Sequence, residues 1–101
     1  QSDVEKIIEA APGLVVLDEA YHSFSRGHCL SLLDKYSNVV VMRTLSKVGL
    51  AGIRLGMLMG HPAWLQQFEK VRLPYNINVL TQVTAAFCLA HQEVFSHQAK
   101  A

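Results

Sequence analysis

Apolar positions along this chain fall into two rhythms, and the rhythms alternate. From Asp3 to Ala11, Val4, Ile7, Ile8 and Ala11 recur at helical spacing, with Ser2 or Asp3 available as a cap and Pro12-Gly13 as a stop. Leu14 to Leu17 is then an unbroken apolar run, rich in valine, that ends in Asp18-Glu19. Unbroken rather than alternating hydrophobicity predicts a strand covered on both faces, as in parallel α/β sheets. Asn38 to Met42 repeats that pattern before polar Arg43-Thr44. A loop (His22 to His28) and a short helix around Leu30 to Lys35 lie between the two runs. Strand, helix, strand in that order favours a right-handed crossover and parallel pairing.

Arg54 to Gly60 is a third candidate strand, bracketed by glycines, whose direction the spacing alone leaves open. Pro62 opens a helix predicted to reach about Val71, with Trp64, Leu65, Phe68 and Val71 on one packing face. Leu73-Pro74-Tyr75 breaks the pattern, and Val79 to about His97 reads as one long helix. There are no internal repeats and no low-complexity segments. The predicted class is α/β, a mostly parallel sheet with helices on its faces.

Composition sharpens this picture. Half of the 101 residues are hydrophobic and 17% are charged, which excludes a disordered chain. A domain of this size buries roughly 60–65% of its unfolded surface. A chain this apolar is therefore expected to carry faces meant for neighbours, and residues 1–101 are expected to be an internal piece of a larger domain. The net charge of +1 comes from scattered Lys and Arg, so neither nucleic acid nor an anionic membrane surface is an expected partner. Cys29 and Cys88 stand in no CxxC or Cys/His spacing and read as reduced, mostly buried thiols of a cytoplasmic protein. His22, His28, His61, His91 and His97 show no metal-ligand spacing either. Gln1-Ser2-Asp3 lacks the features of a signal peptide, and no apolar run reaches the roughly 18–20 residues of a membrane span.

Chemistry concentrates where strands are predicted to end. In an open α/β sheet, ligands bind at the carboxyl edge of the strands. Asp18-Glu19-Ala20-Tyr21 and Arg43-Thr44-Leu45-Ser46-Lys47 fall at two such edges, and Gly49, Gly52, Arg54 and Gly56 follow closely. One rim thus receives an acid, a phenol, an amine, two hydroxyls and a guanidinium. Pyridoxal phosphate (PLP) chemistry asks for that set. An amine condenses with the cofactor aldehyde, and a carboxylate keeps the pyridine nitrogen protonated. A phenol can bond the ring hydroxyl oxygen, while hydroxyls and an arginine hold the phosphate dianion. Taken singly, Asp18 could merely cap a turn, and Thr44 and Ser46 could satisfy local backbone groups. Glu19 reads as a structural contact, and Arg43 as either a site residue or half of an ion pair near the strand edge.

Three segments carry a resemblance. Leu14-Val-Val-Leu-Asp-Glu-Ala-Tyr21, Val41-Met-Arg-Thr-Leu-Ser-Lys47 and Gly49-Leu-Ala-Gly-Ile-Arg-Leu-Gly56 are similar, in order and spacing, to the fold-type-I PLP-dependent aminotransferases. Arg43-Thr-Leu-Ser-Lys47 and Val71-Arg-Leu-Pro-Tyr-Asn-Ile-Asn78 look most like the histidinol-phosphate branch of that family. The resemblance implies that Lys47 holds the cofactor covalently and moves the substrate proton. It implies that Asp18 pairs with the pyridinium nitrogen, Tyr21 with the ring hydroxyl oxygen, and Arg54, Ser46 and Thr44 with the phosphate. Many relatives carry one more residue between the lysine and the glycines, so Arg54 follows Lys47 here by seven residues rather than eight. The resemblance further implies amino transfer between an amino acid or amino alcohol phosphate, L-histidinol phosphate foremost, and a 2-oxo acid such as 2-oxoglutarate. It also implies a cytoplasmic homodimer, with the stretch around Tyr75, Asn76 and Asn78 near the subunit interface. On this reading the chain is a fragment of the PLP-binding large domain, inactive alone, and residues 79–97 start the helix toward a smaller domain.

Other readings fit parts of the pattern. Another aminotransferase of the same fold, or a threonine-phosphate decarboxylase, differs only in substrate-binding parts outside this chain. Leu14-Val-Val-Leu-Asp-Glu also resembles the acidic strand of a P-loop NTPase, but no G-x-x-x-x-G-K-[ST] string occurs. A non-catalytic structural module is the remaining alternative.

Overall fold

The computed structural model describes residues 2–21, 29–45, 51–74 and 76–100. Helix α1 spans Asp3–Ala10 and starts on a reciprocal cap. Ser2 Oγ accepts from Glu5 N–H at 3.3 Å, and Glu5 Oε2 accepts from Ser2 N–H at 3.0 Å. The helix stops where Ala11 N–H reaches Ile7 O at 3.0 Å, just before Pro12. Strand β1 is Val15–Asp18, helix α2 is the single turn Leu32–Lys35, and strand β2 is Val39–Thr44. A 3-10 turn at Ala51–Ile53 leads into strand β3, Gly56–Gly60. Helices α3 (Pro62–Glu69), α4 (Val79–Ala90) and α5 (Gln92–Lys100) follow.

The sheet has the order β1-β2-β3. β1 pairs parallel with β2 from Val15↔Val39 to Asp18↔Met42, as the strand–helix–strand order predicts. β3 runs antiparallel to β2, with Val40↔Gly60 and Thr44↔Gly56 as the ends of the ladder. The described sheet is therefore mixed, with one parallel and one antiparallel pairing, and β3 takes the direction that its spacing left open.

The core lies on one face of this sheet. Ile8 of α1 packs with Val39 and Val41, all three fully buried, and Val15, Leu17, Leu32, Leu33 and Met59 close around them. Asn38 ties the layers together, its amide donating to Ile8 O at 3.3 Å and Gly13 O at 3.2 Å. The other face is more open, although Val40 on it is fully buried. Val16, Met42 and Leu58 are 51%, 42% and 38% exposed. The expectation of a β1 strand covered on both faces thus holds only in part within this chain, because Val16 stays half exposed although its register partner Val40 is buried.

Two helices end earlier than their apolar rhythm predicts. α3 stops at Glu69, so Val71 is exposed instead of sharing a face with Trp64. Trp64 itself packs half-buried and donates its indole N–H to Ser37 O at 2.9 Å. The single long helix expected from Val79 to His97 is two helices broken at His91, whose φ and ψ are −121° and 33°. His91 Nδ1 lies 2.9 Å from Phe87 O, the carbonyl that an unbroken ladder would reserve for His91 N–H. That N–H turns to Cys88 O instead, at 3.1 Å.

Two outcomes follow from this packing. A Cβ on Gly60 would stand 2.6 Å from Val40 Cγ1 and 3.3 Å from Val39 O, whereas one on Gly13 would meet nothing within 4 Å. Gly60→Ala should cost about 1–3 kcal/mol in a denaturant titration and Gly13→Ala nothing; equal midpoints would show that Val40 yields freely. Lys35, which bonds Glu5 across α1 and α2, together with the Ser2 cap holds the Glu5 carboxyl down at about 2, against an ordinary 4.5. A lowered carboxyl stabilises above its unfolded value and loses that contribution as pH falls through its folded one. The melting-temperature gap between wild type and Lys35→Met should therefore shrink steadily as pH falls from about 4.5 to about 2. A gap that stays constant over that range would overturn the assignment.

Candidate functional site

Parallel pairing brings the carboxyl ends of β1 and β2 to one rim, and strand alternation sorts the rim residues by face. Asp18 stands opposite Met42, so Asp18, Met42 and, one period on, Thr44 share the open face. Two residues of rise and one strand spacing separate the Cα atoms of Asp18 and Thr44, about 8 Å. Asp18 is exposed, and its Oδ1 accepts from Ala20 N–H at 2.9 Å, which shapes the turn leaving the strand. Among the described residues, no cation forms an ion pair with it. Tyr21 lies in that same turn, 60% exposed.

Glu19 and Arg43 take the opposite face. Arg43 Nη2 lies 2.8 Å and Arg43 Nε 2.9 Å from Glu19 Oε2, and both side chains are largely buried. The other oxygen, Oε1, accepts from the backbone N–H of Cys29. Burial alone would raise the Glu19 carboxyl, but the guanidinium and the Cys29 N–H together hold it below the usual carboxylate value. Cys29 responds in the other direction: burial and the neighbouring Glu19 push its thiol up, which keeps it protonated and unreactive. The expected structural contact of Glu19 and the ion pair considered for Arg43 are one and the same bond. Sequence reasoning missed only that these two are each other's partners, which the strand register alone reveals.

The second half of the rim is held by a carbonyl. Leu55 O accepts from Leu45 N–H at 3.1 Å and lies 3.4 Å from the Thr44 hydroxyl, closing the chain between β2 and β3. The residue before it, Arg54, follows the 3-10 turn with φ at +55°, the one non-glycine residue among those described in the left-handed region. A β-carbon there costs about 1–2 kcal/mol relative to glycine. Arg54 is exposed, so no packing repays the strain. Strained backbone of this kind clusters at ligand-binding and active sites.

The described rim thus unites Asp18, Tyr21, Thr44 and the backbone of Arg54. Ser46 and Lys47 lie outside the described residues, as do Gly49, Tyr75 and most of the loop after Tyr21. An acid and a hydroxyl on one face, beside an arginine held in a strained turn, suit a ligand with a basic ring nitrogen and an anionic arm. No cluster of three potential metal ligands occurs among the described residues, and no described helix is long and apolar enough to cross a membrane.

The family model described as aminotransferase class I and II matches residues 1–100. A histidinol-phosphate aminotransferase of Nitrosococcus oceani is 56% identical over 97% of this chain, which covers 27% of that protein. The corresponding figures for one from Burkholderia lata are 58%, 97% and 28%. For one from Chromobacterium violaceum they are 54%, 98% and 28%. The chain therefore spans somewhat over a quarter of the length of these curated relatives.

Arg54 gives a direct test of its strain. Arg54→Gly should raise stability by about 1 kcal/mol, while Arg54→Ala, which keeps the β-carbon, should change it by less than about 0.5 kcal/mol. Denaturant midpoints that fall in the reverse order would show that the left-handed turn carries no strain.

Proposed function

This chain belongs to the aminotransferase class I and II family, and from that premise we propose that it forms the cofactor-holding rim of a PLP-dependent aminotransferase of fold type I. The observation that carries the proposal is the common face of Asp18 and Thr44 at the end of a parallel strand pair, with the Arg54 turn beside it. When bound, PLP supplies an aldehyde that takes up amines reversibly and a ring that accepts electrons.

The chain's residues divide the remaining work. Asp18 holds a proton on the ring nitrogen; its exposure and its freedom from ion pairing among the described residues leave the carboxylate able to do so. Tyr21 donates to or accepts from the ring hydroxyl oxygen. Arg54, with Ser46 and Thr44, grips the phosphate, the guanidinium supplying charge-assisted bonds. Lys47 would hold the cofactor through its amine, and the same amine would take and return the proton of the substrate α-carbon. A lysine amine with a reference pKa of about 10.4 serves as that base only when desolvation and nearby positive charge lower it.

The names of the relatives support a donor substrate of L-histidinol phosphate and histidine biosynthesis as the context; 2-oxoglutarate as the acceptor is part of the same proposal. The protein would be a cytoplasmic homodimer. Residues 1–101 would form part of its large domain, with α4 and α5 beginning the connection to a smaller one as two helices rather than one. The open sheet face and the exposed Val79, Leu80, Val83 and Phe87 would be covered by parts of the protein beyond these residues.

The test is covalent capture. After incubation with PLP and reduction with borohydride, the peptide containing Lys47 should gain the mass of the reduced cofactor, and Lys47→Ala should gain none. Equal uptake by both proteins would sink the assignment of Lys47. The 101 residues alone should show no amino transfer, because substrate-binding parts of the family lie outside them.

A further inference from the structure

The Glu19–Arg43 pair has no part in the chemistry proposed above, yet it ties down the rim at several points. Residue 19 is fixed at three points. Its N–H donates to Met42 O at 2.8 Å, its Oε1 accepts from Cys29 N–H, and its Oε2 accepts from Arg43 at 2.8 and 2.9 Å. Each partner is adjacent in sequence to a proposed cofactor contact. Glu19 follows Asp18, and Arg43 precedes Thr44. Since successive strand residues point to opposite faces, fixing Glu19 and Arg43 on the core side fixes Asp18 and Thr44 on the open side. Cys29 adds a second constraint, because the chain that leaves β1 through Tyr21 is pinned again at the same carboxylate.

We infer that Glu19 and Arg43 are positioning residues for the cofactor: a bracket behind the rim that sets the spacing of Asp18 and Thr44 and ties Cys29 to the same carboxylate. The inference rests on the proposed cofactor role of that rim. Stability does not explain the pair equally well. Exchanging a largely buried ion pair for apolar groups of similar size is often neutral or stabilising, because desolvating two charges offsets their attraction. What apolar groups cannot supply is the directed hold on a backbone N–H and on a planar guanidinium. Binding sites need that hold, since a ligand contact works only when its own support is locked.

The experiment uses the full-length protein and two variants, Glu19→Met/Arg43→Met and the milder Glu19→Gln. Covalent uptake of PLP at Lys47 by the wild type is read first. Its absence would sink the cofactor reading and the bracket with it. With uptake present, the double variant should melt within a few degrees of wild type yet bind PLP at least about tenfold more weakly, the lower end of what loss of a supporting hydrogen bond costs at metal sites. Glu19→Gln should lose several-fold. In both, the pH midpoint of the bound cofactor's absorbance should move, because that midpoint senses where the Asp18 carboxylate stands. A purely structural role would weaken PLP binding only in step with the unfolded fraction. Folded variants that bind within twofold of wild type, with an unmoved pH midpoint, would overturn the inference while leaving Lys47 and the cofactor reading intact. Should the double variant fail to fold, the same two readouts on Glu19→Gln decide the matter.

Discussion

Two adjacent strands that run in the same direction deliver their last residues to the same rim, and everything at this site depends on that pairing of β1 with β2. The ladder from Val15↔Val39 to Asp18↔Met42 makes neighbours of two segments that an intervening helix separates in sequence. It also fixes phase. A slip of one residue would carry Asp18 into the apolar core and bring Glu19 out to the open face. The valines at 15, 39 and 41 resist that slip, since Val39 and Val41 are fully buried against Ile8, and a slip would also pull Val40 from its own buried place on the other face. Hydrophobic register thus sets the position of a carboxylate that makes no hydrophobic contact of its own.

Arg54 illustrates the opposite economy. Its backbone sits where glycine would be more comfortable, although glycines stand two residues away on either side. The Leu55 carbonyl, accepting from Leu45 N–H, holds the following peptide in place and so keeps the turn from relaxing. About 1–2 kcal/mol of local strain is a noticeable share of a marginal stability of roughly 5–15 kcal/mol. On the proposed function, it would be small beside the cost of leaving a phosphate dianion without a guanidinium partner.

How much of this could be read from sequence differs from element to element. The cap on α1, the parallel β1–β2 unit and the rim position of Asp18 and Thr44 were all legible, because each depends on local residue chemistry or a short period. The direction of β3 was not, since a glycine-bracketed apolar run looks the same read either way. The break at His91 was hidden for a different reason. Helical periodicity continues across it, and only an imidazole bonded to Phe87 O diverts the backbone. The positive φ of Arg54 left no mark at all in residue type. The pairing of Glu19 with Arg43 required the register, because either could have met other charges in the chain.

The unbroken apolar run of β1 was a correct reading of chemistry with an incomplete reading of place. Such a run needs cover on both faces, yet Val16 and Met42 stay half open while Val15 and Leu17 pack inward. That exposure falls on the face that carries Asp18, not on the face of the Glu19–Arg43 pair. The same holds for α4, which turns Ala85 and Cys88 inward and leaves Val83 and Phe87 open. For a protein of which these residues span somewhat over a quarter of the relatives' length, apolar area of this kind is expected to be buried elsewhere in the fold. Whatever covers Val16 and Met42 also lowers the dielectric around the Asp18 carboxylate. On the proposed function, its attraction for a protonated ring nitrogen would then strengthen through the same burial that completes the core.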